Sequence, residues 1–138
     1  MTRTLQLFFI AIGLMMTLHS CAKKNYPFNG IKKQLMGQWQ LVSSGGGFAN
    51  LPETQTKDRI VVEFTPADMY RNFVNDQLKT ETKYMIKYVE TTVTGTKKHV
   101  LVLEREGPYV HFTVSGDELT LSGDHPDAMY FKYVKVKE

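Results

Sequence analysis

The chain has 138 residues, 17 of them basic and 14 acidic, a net charge of +3 and 42% hydrophobic residues. That length suits one domain with a sizeable core, and near-balanced charge without a basic stripe excludes an ordinary nucleic-acid-binding surface. One cysteine excludes an intrachain disulfide, so apolar packing must hold the fold.

The first 21 residues have an organisation of their own. Arg3 and the terminal amine make a weakly positive start, and residues 7–16 (LFFIAIGLMM) form an apolar run. The run is short for a membrane-spanning helix, which takes about 20 apolar residues. Leu18-His19-Ser20-Cys21 follows and holds the chain's single cysteine. This pattern resembles a bacterial lipoprotein signal with a lipobox of the Leu-x-small-Cys type. The resemblance implies cleavage before Cys21 and lipidation of Cys21 with acyl chains such as palmitate, making the membrane a partner. One chain binds a bilayer marginally, whereas two or more hold a protein there. Residues 1–20 are then the signal peptide, 21–34 a lipidated tether and 35–138 the folded domain.

Removing residues 1–20 takes away one cation, Arg3, and no anion, which leaves a net charge of +2. Ala22-Lys23-Lys24-Asn25 lacks both the Asp that marks inner-membrane retention in enteric bacteria and an acidic export cluster. By that resemblance the expected location is the periplasmic face of the outer membrane. Lys23, Lys24, Lys32 and Lys33 fit attraction to anionic headgroups and fit a solvated basic tether equally well. With Pro27, Gly30, Asn25 and Asn29 among the lysines, residues 22–34 read as linker. Tyr26 and Phe28 are unusual in a spacer.

From Leu35 the chain becomes short apolar runs between turn residues. The pattern predicts strands at 37–44, 59–64, 69–75, 82–90, 99–104, 109–115, 119–122 and 129–136. Turn signals between them include Asn75-Asp76, Gly107-Pro108, Gly116-Asp117 and Gly123-Asp124-His125-Pro126. Eight strands so spaced predict an all-β antiparallel fold, an up-and-down barrel or a sandwich. The longest connection, 45–58, is where a lid or short helix is expected. Gly45-Gly46-Gly47 within it lacks the Lys-Ser/Thr of a phosphate loop and reads as a flexible turn.

Alternation assigns faces. Ile60, Val62 and Phe64 share one side of their strand; Val110, Phe112 and Val114 oppose His111 and Thr113; Tyr84, Ile86 and Tyr88 oppose Met85, Lys87 and Val89. The run 99–104 (HVLVLE) is apolar on both sides, so cover is expected outside as well as inside. An eight-stranded barrel is just wide enough to fill with side chains or to hold one small ligand.

Leu35-Met36-Gly37-Gln38-Trp39-Gln40-Leu41-Val42-Ser43 resembles the opening strand of the bacterial lipocalin-like lipoproteins, with the Gly-x-Trp of the wider lipocalin superfamily. Residues 115–122 (SGDELTLS) followed by 130–135 (YFKYVK) resemble their closing hairpin. The likeness spans about residues 35–138. It implies an up-and-down lipocalin-like barrel in which Gly37 lets the chain turn into the barrel and Trp39 closes its base. Lipocalins place an arginine late in the chain over that tryptophan; here the candidates are Lys132 and Lys135.

The residues offer little catalysis. His99, His111 and His125 lie in separate elements without metal-ligand spacing. There is no Gly-x-Ser-x-Gly elbow, and lipidation would remove the one thiol. Glu63, Glu90, Glu104 and Glu106 read as a solvated outer face. No catalytic residue, metal or cofactor is therefore expected. The expected function is binding of a small apolar or amphipathic ligand by Trp39, Ile60, Val62, Phe64, Tyr84, Ile86, Tyr88, Val110, Phe112 and Val114. The alternative is a module with a filled core that binds or inhibits an envelope protein through loops and strand edges. Inward-facing tyrosines serve either reading, as pocket lining or as core filler.

Overall fold

The computed structural model describes residues 29–104 and 107–137. Cys21, the signal segment and the tether before Asn29 lie outside the described residues, as does Glu106. The elements are α1 (Asn29–Leu35), β1 (Gly37–Gly46), β2 (Leu51–Thr54), β3 (Ile60–Phe64), β4 (Met69–Val74), β5 (Gln77–Glu90), β6 (Lys97–Leu103), β7 (Tyr109–Ser115), β8 (Glu118–Gly123) and β9 (Met129–Lys135).

β1 and β3 to β9 make a closed, antiparallel, up-and-down barrel of eight strands. Each pairs with the next, and β9 returns to β1 along a ladder from Trp39↔Lys135 to Gly46↔Met129. Closure leaves no long unpaired edge. β2 is a ninth, short strand. It pairs with β1 at Ser44↔Thr54 and Gly46↔Leu51, beyond the rungs that β3 occupies.

The turns follow from side-chain chemistry. Asn75 and Asp76 have φ of +51° and +63°, the two left-handed residues that a two-residue type I′ hairpin needs to match strand twist. The Arg59 backbone N–H donates to Asn75 Oδ1 at 3.0 Å, tying the start of β3 to that turn. β5 begins at Gln77, five residues before the strand expected at 82–90. Residues 77–81 (QLKTE) carry no apolar alternation and are exposed, so the pairing with β4, from Val74↔Gln77 to Met69↔Lys83, makes them a strand. In 45–58 the expected lid or helix is replaced by exposed β2.

One interior cluster holds the barrel. Leu35, Trp39, Leu41, Val62, Phe64, Tyr84, Leu101, Leu119, Leu121 and Tyr133 are each at most 7% exposed and pack together. Phe64 meets Tyr84 edge to face at 5.2 Å between centroids. Full burial of such side chains stabilises by about 1.5–3 kcal/mol each. Val61, Val100 and Val102 are also buried but stand outside this cluster, on the other face. The run 99–104 is thus covered on both sides, as its pattern predicts.

α1 forms inside the stretch expected to be linker. A seven-residue helix is too short to be stable alone, so docking sustains it. Leu35 is fully buried in the cluster, and the Trp39 indole N–H donates to the Leu35 carbonyl at 2.7 Å. Lys32 ion-pairs with Asp68 in the β3–β4 turn and donates to the Pro66 carbonyl at 3.3 Å. Gly37 connects helix to barrel with φ +105°. A Cβ there would find room, 3.6 Å from Lys135 Cε, so the requirement for glycine is conformational. Lys135 Nζ lies 4.9 Å from the Trp39 ring centroid. Of the two late lysines, Lys135 is therefore the cation over the tryptophan.

Candidate functional site

The barrel wall is not uniformly sealed. β5 and β6 pair without a break from Tyr84↔Leu103 to Glu90↔Lys97, and β7 and β8 pair as far as Ser115↔Glu118. Between them, β6 and β7 share three rungs, Val100↔His111 to Val102↔Tyr109. Past His111 the two strands part, and a cleft of about 530 Å³ opens between Lys97–His99 on one side and His111–Val114 on the other. Ile31 and Gln34 of α1 and Tyr88 of β5 complete it.

The cleft mixes apolar and cationic groups. Ile31, Phe112 and Val114 supply hydrocarbon surface. Tyr88 packs against the His99 ring at 4.8 Å between centroids, tilted by 43°. Lys97 and Lys98 are exposed at its margin, and no acidic residue among the described residues lines it. Among the described residues neither lysine has an ion-pair partner. Apolar walls with a few charged groups at one edge are the chemistry of a site for an amphipathic molecule carrying negative charge.

The ten residues expected to line a ligand pocket divide between this cleft and the core. Phe112, Val114 and Tyr88 line the cleft. Trp39, Val62, Phe64 and Tyr84 are buried in the interior cluster, with Ile60, Ile86 and Val110 packed partly buried against it alongside Phe112 and Val114. Tyr88 departs from the expected inward set: it is 54% exposed. Its rung, Tyr88↔His99, lies beyond the last β6–β7 pair, so no third strand continues the wall there. Ile31, Gln34, Lys97 and Lys98 were not among the expected residues. The first two fall in apparent linker. The adjacent Lys97-Lys98 ahead of an apolar run is the one sequence signal that pointed here.

At one end of the cleft, His111 Nε2 and Asp124 Oδ1 are 2.7 Å apart. The Thr92 N–H donates to Asp124 Oδ2 at 3.2 Å, and Thr92 Oγ1–H donates to the Asp124 carbonyl at 2.7 Å. These bonds latch the β5–β6 turn to the β8–β9 loop across β7. The hydrogen bond from His111, then those from Thr92, hold the Asp124 carboxyl down at about 2. Both carboxylate oxygens are occupied, so Asp124 serves as a clasp.

A second cluster sits on β1, β2 and β9 beside a smaller cleft of about 310 Å³. Ser43 Oγ–H donates to Glu53 Oε1 at 2.5 Å and Lys132 Nζ to Oε2 at 2.6 Å. The Lys132 ammonium first and Ser43 second lower the Glu53 carboxyl below its usual range. A carboxylate so stabilised is a poor base for Ser43; the group fastens β2 over the barrel. Gly45, read as part of a flexible turn, belongs to β1, where a Cβ would come within 2.7 Å of the Tyr130 hydroxyl and 3.2 Å of Glu53 Cα.

The interior holds two polar atoms without partners among the described residues, Tyr84 Oη and Asn72 Oδ1. Burial, then the nearby Asp68 charge, pushes the Tyr84 phenol up to about 12. Burial also raises the phenols of Tyr133 and Tyr70. Among the described residues no three or more His, Cys, Asp or Glu side chains are grouped to hold a metal ion. No helix there is long and apolar enough to cross a membrane.

Compared with known proteins, the chain matches no family model, no curated protein and no solved structure.

Proposed function

We propose that this chain is a lipocalin-like lipoprotein, anchored through Cys21 on the periplasmic face of the outer membrane, which binds a small amphipathic molecule without catalysis. The observation that carries the binding reading is the β6–β7 cleft: about 530 Å³, walled by Ile31, Phe112 and Val114, with Tyr88 and two exposed lysines at its margin. Its volume lies within the usual range of ligand sites, about 300–1,000 Å³. Gly37 at φ +105°, buried Trp39 and Lys135 over its ring support the lipocalin-like reading.

The filled interior cluster favours the second reading, an envelope-protein interaction or inhibitor module that works through its surface. Native mass spectrometry of the protein purified from its own host separates the two. The first expects an added mass that organic solvent releases and that Lys97→Glu with Lys98→Glu, both at exposed positions on the cleft margin, abolishes while the barrel stays folded. A bare mass in both forms overturns it in favour of the second.

A further inference from the structure

The placement of the cleft relative to the start of the fold carries a consequence for how the barrel sits on its membrane. Asn29 begins α1, and Ile31, two residues later, already lines the cleft. Seven residues, 22–28, separate Cys21 from Asn29, and a fully extended chain covers at most about 3.6 Å per residue, or about 29 Å over the eight steps. With lipid on Cys21, the bilayer surface therefore lies within that reach of the helix that borders the cleft. The opposite end of β4, with Lys79 just past the Asn75-Asp76 turn, points away from α1, since Lys32 holds the β3–β4 turn instead.

The surface at this end has the chemistry that anionic headgroups attract. Lys97 and Lys98 are exposed with no ion-pair partner among the described residues; Glu90 stands opposite Lys97 on β5, and no carboxylate among the described residues lines the cleft itself. Beside them the half-exposed Tyr88 presents an amphipathic ring of the kind enriched at membrane interfaces. Each lysine near an anionic leaflet strengthens binding about fivefold, so the pair contributes about thirtyfold. The anchor makes this an intramolecular encounter, for which so small a preference is enough to set orientation.

We infer that the β6–β7 cleft is a membrane-docking face: Lys97, Lys98 and Tyr88 rest on anionic lipid headgroups of the bilayer that holds Cys21, with the mouth of the cleft toward the lipid. The inference rests on the lipid-anchor reading. It deepens the binding reading, because an amphiphile would enter from the bilayer without crossing water.

The test uses the full lipidated protein, purified from its host and placed in vesicles of phosphatidylcholine alone or with one third phosphatidylglycerol. Intact mass first reports whether Cys21 carries lipid; an unmodified Cys21 overturns the anchor reading and the docking with it. Lysine acetylation and tyrosine nitration then report accessibility. The expected result is at least tenfold protection of Lys97, Lys98 and Tyr88 on the anionic vesicles, little on neutral ones, and an unprotected Lys79 on both. Lys97→Glu with Lys98→Glu, both at exposed positions, is expected to melt like the parent and to lose the protection of Tyr88. Equal reactivity on the two vesicle types overturns the docking even when the lipid is present. Equal protection on both overturns it too, since it points to contact between protein copies.

Discussion

Trp39→Phe tests the idea that one indole clamps α1 into the end of the barrel. The substitution removes the 2.7 Å hydrogen bond to the Leu35 carbonyl in a fully buried setting. A buried carbonyl left without its donor costs about 1–3 kcal/mol. The smaller ring leaves unfilled space worth about 1 kcal/mol, and weakening the Lys135 contact, 4.9 Å from the ring, adds about 0.5 kcal/mol. The total, about 2.5–4.5 kcal/mol, is a large share of the 5–15 kcal/mol typical of a domain. Urea unfolding followed by far-ultraviolet circular dichroism is the assay, because the substitution removes the chain's one tryptophan. With a slope of about 1.5–2 kcal/mol per molar, the midpoint should fall by about 2 M at unchanged slope. A fall under about 0.5 M would refute the clamp. Lys135→Met alone should cost about 0.5–1 kcal/mol, and its effect should shrink in the Trp39→Phe background.

Three further substitutions probe other parts of the argument. Gly37→Ala should destabilise by about 1–2 kcal/mol through backbone strain at φ +105°, although space exists for the methyl group; a neutral thermal melt would show that the bend into β1 relaxes freely. Tyr84→Phe removes a buried hydroxyl that has no partner among the described residues. Stability should therefore hold or rise by about 1 kcal/mol, and a loss of that size would reveal a partner for the hydroxyl. Asp124→Asn should destabilise at neutral pH by weakening the latch with His111 and Thr92. The Asp124 carboxyl titrates lower in the fold, at about 2, than in the unfolded chain, so its contribution is complete above about pH 4 and is lost as pH falls toward 2. Parent and variant should accordingly approach each other as pH falls from 4 and converge below pH 2 in acid-unfolding curves; a constant gap across that window would refute the assignment.

Local chemistry was enough to reveal most of the wall. Period-2 alternation placed Ile60, Val62, Phe64, Val110, Phe112 and Val114 toward the core, and all six pack into or against the interior cluster. Asn75-Asp76 announced its turn through the left-handed preference of those side chains. Legibility failed where long-range pairing or docking does the work. Residues 77–81, polar but for Leu78, become strand through β4, and residues 29–35 are short and become helix through Leu35 and Lys32. Tyr88 shows the same limit within a strand that was otherwise read well. Its parity matches Tyr84 and Ile86, but parity carries no information about where the next strand stops.

The sequence by itself determined an all-β antiparallel chain, its inward faces, a core built without disulfides and the Gly37, Trp39 and late-lysine pattern, since these depend on alternation and on single residues with special geometry. Tertiary structure decided that the ring closes through β9 on β1, that the interior fills, and that the wall parts past His111. Closure depends on how β1 and β9, more than eighty residues apart, register against each other, and the parting depends on where the β6–β7 ladder stops; no local pattern encodes either. The cleft is a product of that register: its residues come from α1, β5, β6 and β7, and become neighbours only because two ladders run on where the one between them ends.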